Sequence, residues 1–556
     1  MSIRHSFLWN VSAALLLVLL SGCVAVPTVT PGRSLDAYKA DPKNEGVLVL
    51  SSVVNTGEVG QLMTVRLQAQ DAPLPPGKKA SQVLPPEFTL SNQMSAKSRD
   101  LSLFFGSLPA GRYKVIELSF GFKYLNLRGG SLLSDIVVEA GKTTDLGMIV
   151  LTAANFKVLV GRSHKYTSSK WLIDRYFADE PLLNRSQAGG WIEAIPEDDV
   201  AEAYALIYTQ GIGSIAETSA NEVVAGTRLG KVLARNAEGR WRVLAQTGSY
   251  DAVTFVSPYT GNQPGAVLAL TDAGEAYKVV NGKAEAVSLG NLPRGRIFFL
   301  DSNASGSRWL VGVNHDNKAE LFTAASLENG QWTSLFADDV SFSYWSGMRN
   351  AWAAKAPNGV VFASSIHPEI RCFDYTTEQW TSLAVPDKRT VIDLKVNPTT
   401  GKIGLLTSPG GGFAGIFAKS HIADSCSGAW KTIKTPYSVE VAAPIWLNDD
   451  ALAVVGGVFG DEGIYVSTDN AKTWNKRGKE SVLSDNFYQT ANNGLFLVSK
   501  GMHGFELVSH SGDGGASWKL ELSSFDPNLL KAQENSKDNA PATDSAADKD
   551  KKSKSP

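Results

Sequence analysis

Short apolar runs recur at regular intervals along the C-terminal two-thirds of the chain. Val223-Val224-Ala225, Val267-Leu268-Ala269-Leu270, Trp309-Leu310-Val311, Val360-Val361-Phe362-Ala363, Ile403-Gly404-Leu405-Leu406, Ala453-Val454-Val455 and Leu495-Phe496-Leu497-Val498 begin 42 to 51 residues apart. Runs this short, bounded by turn residues, read as buried strands, because a helix needs a longer stretch with a 3.6-residue period. A turn with a tryptophan follows 18 to 27 residues after most of these starts, at Trp241, Trp332, Trp380, Trp430, Trp474 and Trp518. The second repeat offers only Gly282-Lys283-Ala284-Glu285 at that place. A strand also precedes each run, from Gly213-Ser214-Ile215-Ala216 to Asn486-Phe487-Tyr488, and Lys519-Leu520-Glu521-Leu522 is the final outer strand. Each repeat then completes itself. Closure of the array is expected to rest on apolar packing between its two ends.

Seven repeats of this length, each holding four short strands, predict a seven-bladed β-propeller over residues 211–523. Two turns carry a more specific pattern: Ser467-Thr468-Asp469-Asn470-Ala471-Lys472-Thr473-Trp474 and Ser511-Gly512-Asp513-Gly514-Gly515-Ala516-Ser517-Trp518. They resemble the Asp-box (BNR) repeat of the sialidase and assembly-factor superfamily. The resemblance implies structural roles for Ser467, Asp469, Thr473, Trp474, Ser511, Asp513, Gly515 and Trp518. The carboxylate would gather backbone N–H groups across the turn, glycine would permit a left-handed residue, and tryptophan would fill the space between blades. Ala471 replaces the glycine in the first copy, and the earlier repeats keep only the tryptophan with a polar turn.

Upstream, over 45–156, apolar or alternating runs such as Val47-Leu48-Val49-Leu50, Thr64-Val65-Arg66-Leu67 and Tyr113-Lys114-Val115-Ile116 alternate with Gly- and Pro-bearing turns. About seven strands in such a length predict a small β-sandwich. The segment Leu108-Pro109-Ala110-Gly111-Arg112-Tyr113-Lys114-Val115 resembles the corresponding turn of prealbumin-like or carboxypeptidase-regulatory-like domains, where its role is structural. Residues 157–210 are expected to be a connector with one short helix, from Asp198 to Tyr208, whose first turn is acidic. The fold class is therefore all-β: a small N-terminal β-sandwich followed by a seven-bladed propeller. Residues 524–556 are charged and poor in apolar groups, and are expected to be disordered.

At the other end, an apolar run from Val11 to Leu20 follows Arg4 and His5, which suits a signal peptide over 1–22. It runs into Leu20-Ser21-Gly22-Cys23, which resembles the lipobox of bacterial lipoproteins. The resemblance implies diacylglyceryl transfer to the Cys23 thiol and acylation of the new amine, with residues 23–44 as a lipidated tether. Two or three acyl chains at ~0.8 kcal/mol per buried methylene hold a protein on a membrane where one chain does not. Val24 rather than aspartate after the cysteine implies the outer membrane of a Gram-negative cell, facing the periplasm or the surface.

Charge adds an exclusion. Fifty-three Lys+Arg against 55 Asp+Glu leave a net charge of −2, with no basic block in the folded part, which argues against a nucleic-acid partner. No Gly-x-Ser-x-Gly, phosphate loop, Asp-x-Asp-x-Asp-Gly loop or i,i+4 histidine pair occurs, so no cofactor and no metal is expected. Sialidase-like propellers need three converging arginines. Arg294-Gly295-Arg296-Ile297-Phe298 lacks the family's proline, and only Arg477 follows Arg389. A non-catalytic platform for a protein partner is therefore the preferred reading, and a glycan-binding or glycan-hydrolysing propeller the alternative. Lipid-anchored Asp-box propellers that serve as assembly factors are the family analogy for the first. Candidate partner-binding residues are Tyr344, Trp345, Arg349 and Trp352, an aromatic set that alternatively packs a blade junction, together with His315, His367 and His503 in loops after second strands. Cys372 and Cys426 form either a disulfide or two isolated thiols.

Overall fold

The computed structural model describes residues 29–523 except 33, 57–60, 72–83, 95–96, 121–122, 128–132, 155–156, 194–195, 209, 219, 260–264, 304, 341–349, 410–416, 458–459, 479–485, 491, 493 and 501–505. Two compact units emerge. One comprises the chain up to 203 apart from 55–58 and 96–98, and the other comprises those two short segments with everything from 204 onward.

The first unit holds two sheets around one core. In the six-stranded sheet the order is Val29–Pro31, Glu87–Ser91, Thr64–Ala69, Gly111–Phe120 and Lys123–Asn126, with Ile136–Val138 also pairing on Gly111–Phe120. The five-stranded sheet runs Lys157–Arg162, Thr143–Ala154, Glu45–Asn55 and Leu101–Pro109, with Gln187–Ala188 added to Thr143–Ala154. Leu48 and Leu50 from the second sheet meet Val65, Leu67, Tyr113 and Val115 from the first in a single apolar cluster. Pro109 ends a strand of one sheet and Gly111 begins a strand of the other, so the Pro-Ala-Gly segment is a corner between sheets. The Tyr113 hydroxyl donates back to the Pro109 carbonyl at 2.6 Å and holds that corner.

Residues 157–210 carry more structure than the expected connector with one helix. Lys157–Arg162 is a strand paired antiparallel with Thr143–Ala154. Helices follow at Lys170–Tyr176, Pro181–Asn184 and Pro196–Ile207, the last beginning two residues before the expected start at Asp198. Buried Glu202 in that helix accepts from the Ser163 hydroxyl and from the His164 N–H at 2.7 Å. No helix among the described residues is long and apolar enough to cross a membrane.

The second unit is a run of seven four-stranded antiparallel sheets over 214–246, 253–287, 296–339, 351–384, 390–432, 445–478 and 486–523. Within each sheet the strands lie in chain order, so no strand is shared between the two ends. Second strands such as Val223–Gly226, Val267–Thr271 and Gly359–Ser364 are buried along their whole length, which is why their sequences are unbroken apolar runs. First strands of successive sheets pack side by side from the first sheet to the sixth, and the first strand of the first sheet meets that of the seventh. Ile212, Ile215, Leu233 and Trp241 then share a cluster with Phe496, Val498, Val508 and Leu522.

Tryptophan side chains tie sheet to sheet in a repeated way. The indole N–H of Trp332 donates to the Leu289 carbonyl at 2.6 Å, that of Trp430 to Ala384 at 2.8 Å and that of Trp474 to Lys434 at 2.9 Å. Each acceptor lies at or just beyond the fourth strand of the preceding sheet. Tryptophan suits the position because one end of the ring is apolar and the other needs an acceptor.

Candidate functional site

In the turns at 467–474 and 511–518 an aspartate gathers the hydrogen bonds. Asp469 accepts at one carboxylate oxygen from the N–H groups of Lys472 (3.1 Å) and Thr473 (2.9 Å) and from Ser467 Oγ (2.7 Å), and at the other from Thr473 Oγ1 at 2.7 Å. Those donors, led by the Thr473 N–H, hold its carboxyl well below the usual range. Asp513 does the same with Ser511 Oγ (2.8 Å), the Ser517 N–H (2.8 Å) and Ser517 Oγ (2.6 Å), and is pulled down to about 2, chiefly by the Ser517 hydroxyl. Gly515 has φ 86° and Ala471, its counterpart, φ 62°, so Ala471 tolerates a left-handed backbone that costs a side-chain-bearing residue roughly 1–2 kcal/mol. The fourth sheet has the same device in Asp374, which accepts from the N–H groups of Thr376 (2.9 Å) and Thr377 (2.8 Å). The sequence reading credited that repeat only with Trp380.

Cys23, Tyr344, Trp345, Arg349 and His503 lie outside the described residues. Trp352 is half-buried and packs into the cluster of Val361, Cys372 and Leu405. His315 Nε2 lies 2.8 Å from Glu320 of its own hairpin, and His367 Nε2 lies 2.6 Å from Asp338 of the preceding sheet. These histidines are therefore each engaged by a separate carboxylate. Cys372 and Cys426 are joined in a disulfide that links the fourth and fifth sheets, with Cα atoms 6.2 Å apart. Among the described residues no group of three or more His, Cys, Asp or Glu is placed to hold a metal ion.

A cavity of about 500 Å³ opens where the third and fourth sheets turn from first strand to second. In an antiparallel sheet that end is opposite the loops after second strands, where His315 and His367 sit. Asp301, near the end of Arg296–Ser302, supplies its centre, and Lys355, from the neighbouring strand Ala351–Ala356, reaches across. Lys355 Nζ donates to one Asp301 oxygen at 2.7 Å, and the Tyr375 hydroxyl donates to the other at 3.1 Å. Asp301 is 8% exposed, and burial pushes its carboxyl upward against the pull of Lys355 and Tyr375. Burial, then the charge of Asp301, pushes the Tyr375 phenol upward, so it stays a donor. Ser302, Asn303, Trp309, Asn358 and Thr376 complete the polar wall, between Pro258 and Pro357.

Asp301 is the lone carboxylate among the described lining residues, and no arginine lines the cavity. Arg308, close by, is committed to Glu378, to Thr323 Oγ1 and to the face of Phe373. Arg296 lies 3.2 Å from buried Asp272, Arg389 donates to Thr407 Oγ1 and the Phe417 carbonyl, and Arg477 is exposed on the outermost strand of the sixth sheet.

No family model matches the chain, and no curated protein is similar to it. Solved structures are. YCF48 from Cyanidioschyzon merolae is 13% identical over 52% of this chain and 94% of its own, with a TM-score of 0.37. The β-propeller domain of Cps50 (Swd1) from Myceliophteria thermophila is 12% identical over 46% of this chain and 83% of its own, with a TM-score of 0.34. The GH74 enzyme of Niastella koreensis is 13% identical over 57% of this chain and 60% of its own, with a TM-score of 0.36. The larger unit is a β-propeller. Its cavity sits on a propeller rim built from consecutive sheets, which explains how residues 301, 355 and 375 meet without any shared motif.

Proposed function

We propose that the protein is a lipid-anchored, non-catalytic component of a bacterial cell envelope whose seven-bladed propeller is a platform for a protein partner. Cys23 carries the lipid in this reading, the outer membrane is the address, and the two-sheet unit is a prealbumin-like sandwich. The Asp-box turns and interblade tryptophans act as fasteners. The observation that carries the non-catalytic part is the Asp301–Lys355–Tyr375 group: one carboxylate, spent on two internal donors, in the cavity on the propeller rim. Such a group positions hydrogen-bond donors well, and its one carboxylate is already shared between a lysine and a tyrosine.

Crosslinking in intact cells, followed by capture of the full chain from the envelope, tests the reading. A reproducible partner, lost when Cys23→Ser releases the chain from the membrane fraction, is expected. Turnover of a fluorogenic glycoside that survives purification of the chain would overturn it in favour of the glycosidase alternative.

A further inference from the structure

The helix Pro196–Ile207 turns an apolar stripe outward. Ala201, Glu202 and Ala205 form its buried side, while Val200 is 55% exposed and Ile207 41% exposed. Exposed Ala203 and half-buried Tyr204 lie between them, so the stripe has the i, i+3, i+4, i+7 spacing that ordinarily faces a core. At that exposure no described residue covers Val200 or Ile207. A bilayer is a poor cover. The helix carries Glu197, Asp198, Asp199 and Glu202 and no lysine or arginine, whereas helices that lie in a membrane surface are basic on their polar face. The chain's own end is better placed. Ser523, the last described residue, pairs with Leu507. The adjacent Glu506 accepts from the N–H of Gly211, which stands four residues beyond the end of the helix. In residues 524–556 the large apolar side chains are Phe525, Leu529 and Leu530, all close to that exit.

We infer that the segment Phe525–Lys531 of the same chain lies along this stripe, antiparallel to the helix, with Phe525 on Ile207 and Leu529 on Val200. The lengths agree to within a side chain's reach: four residues of extended chain span ~13 Å, and the helix rises ~10.5 Å from Val200 to Ile207. Pro527 biases Asp526 towards an extended backbone, and the two-residue period of such a backbone puts Phe525, Pro527, Leu529 and Lys531 on one side. Lys531 then meets the end of the helix where Asp198 and Asp199 stand, so charge and apolar pattern select the same direction. This inference goes beyond the platform reading and holds whatever the propeller binds.

The test uses the detergent-solubilised full chain with Val200→Cys and Leu529→Cys, treated with a short bismaleimide, and chains carrying either cysteine alone give the background. A crosslink within one chain is expected, falling about tenfold when Phe525→Ser is added and absent when Ser545→Cys replaces Leu529→Cys. In a second measurement, Phe525→Ser with Leu529→Ser in the otherwise unaltered chain is expected to speed amide exchange about tenfold over residues 200–207 and to leave Val223–Gly226 as in the parent, which separates docking from folding. Crosslinking from Ser545→Cys as efficient as from Leu529→Cys, crosslinks only between two chains, or exchange unchanged by the double serine variant would each overturn the inference. Binding to phosphatidylglycerol vesicles that Ile207→Ser abolishes would overturn it in favour of a membrane as the cover.

Discussion

The seam between the fourth and fifth sheets and the seam between the seventh and first are built from different chemistry. The former is covalent: Cys372–Cys426 crosses it, the Trp430 indole donates to the Ala384 carbonyl, and Val361, Ile370, Val391 and Leu405 pack beneath. The latter, where the chain closes on itself, has no ladder between its sheets among the described residues. In addition to its apolar cluster it uses a buried ion pair. Arg235 grips Glu521 with two bonds of 2.5 and 2.7 Å, His510 stands 3.2 Å from both, and the guanidinium lies over Phe496. Glu506 adds acceptors for the Gly211 and Ile212 N–H groups at 2.5 and 2.9 Å. Adjacent sheets are held by chain connectivity even when their seam is weak. The closing seam joins residues nearly 300 positions apart, so directional, desolvated contacts there select one register of closure.

Breaking the ion pair is expected to have the largest effect. Glu521→Ala leaves Arg235, only 7% exposed at its side chain, without a counter-charge, at a cost of about 3–5 kcal/mol in urea unfolding. Replacing both partners with Arg235→Met and Glu521→Leu should recover most of that loss. A cost below ~1 kcal/mol for the single change would mean the apolar cluster closes the ring alone.

Removing the disulfide is expected to cost roughly 2–4 kcal/mol, since it closes a loop of 54 residues that the unfolded chain would otherwise explore. The comparison predicts that Cys372→Ala with Cys426→Ala lowers the melting temperature and leaves the native state closed. Increased proteolysis at the first and seventh sheets in that variant would contradict the independence of the two seams.

The smallest expected effect depends on pH. His421 of the fifth sheet is fully buried between Thr407 Oγ1 and Thr432 Oγ1, each 2.9 Å away, and meets Trp430 edge-on. Burial, helped by Arg389 and Lys419 and opposed by Asp387, pulls it down to about 4. The unfolded chain takes up this proton as the pH falls past about 6.5, and the folded chain refuses it until about 4. Its contribution is complete above 6.5 and is lost across that window, on the order of 2–3 kcal/mol. His421→Gln should flatten the stability profile between pH 6.5 and 4, and an unchanged slope would place the titration elsewhere.

Much of the propeller was legible in the chain. All seven apolar runs coincide with second strands, because a strand covered on both faces must be apolar at every position. The Ser467–Trp474 and Ser511–Trp518 turns were legible because their bonds lie within a few residues of one another. Asp374 was not, since Tyr375 and Glu378 disguise the pattern around it. Lys157–Arg162 was missed because its partner strand ends at Ala154 and only Asn155-Phe156, with no glycine or proline, separates the two. The rim cavity gave no signal at all: Asp301, Lys355 and Tyr375 are ordinary residues, 54 and 20 positions apart, and His315 and His367, which drew notice, lie at the opposite end of the sheets.

By itself the sequence determined what local chemistry can determine: where strands begin and which turns close on their own side chains. Tertiary structure alone decided which thiols meet, which acid faces which lysine, and how the first sheet grips the last. Those outcomes depend on the angle between successive sheets, summed over the whole array, and no short stretch of residues encodes that sum.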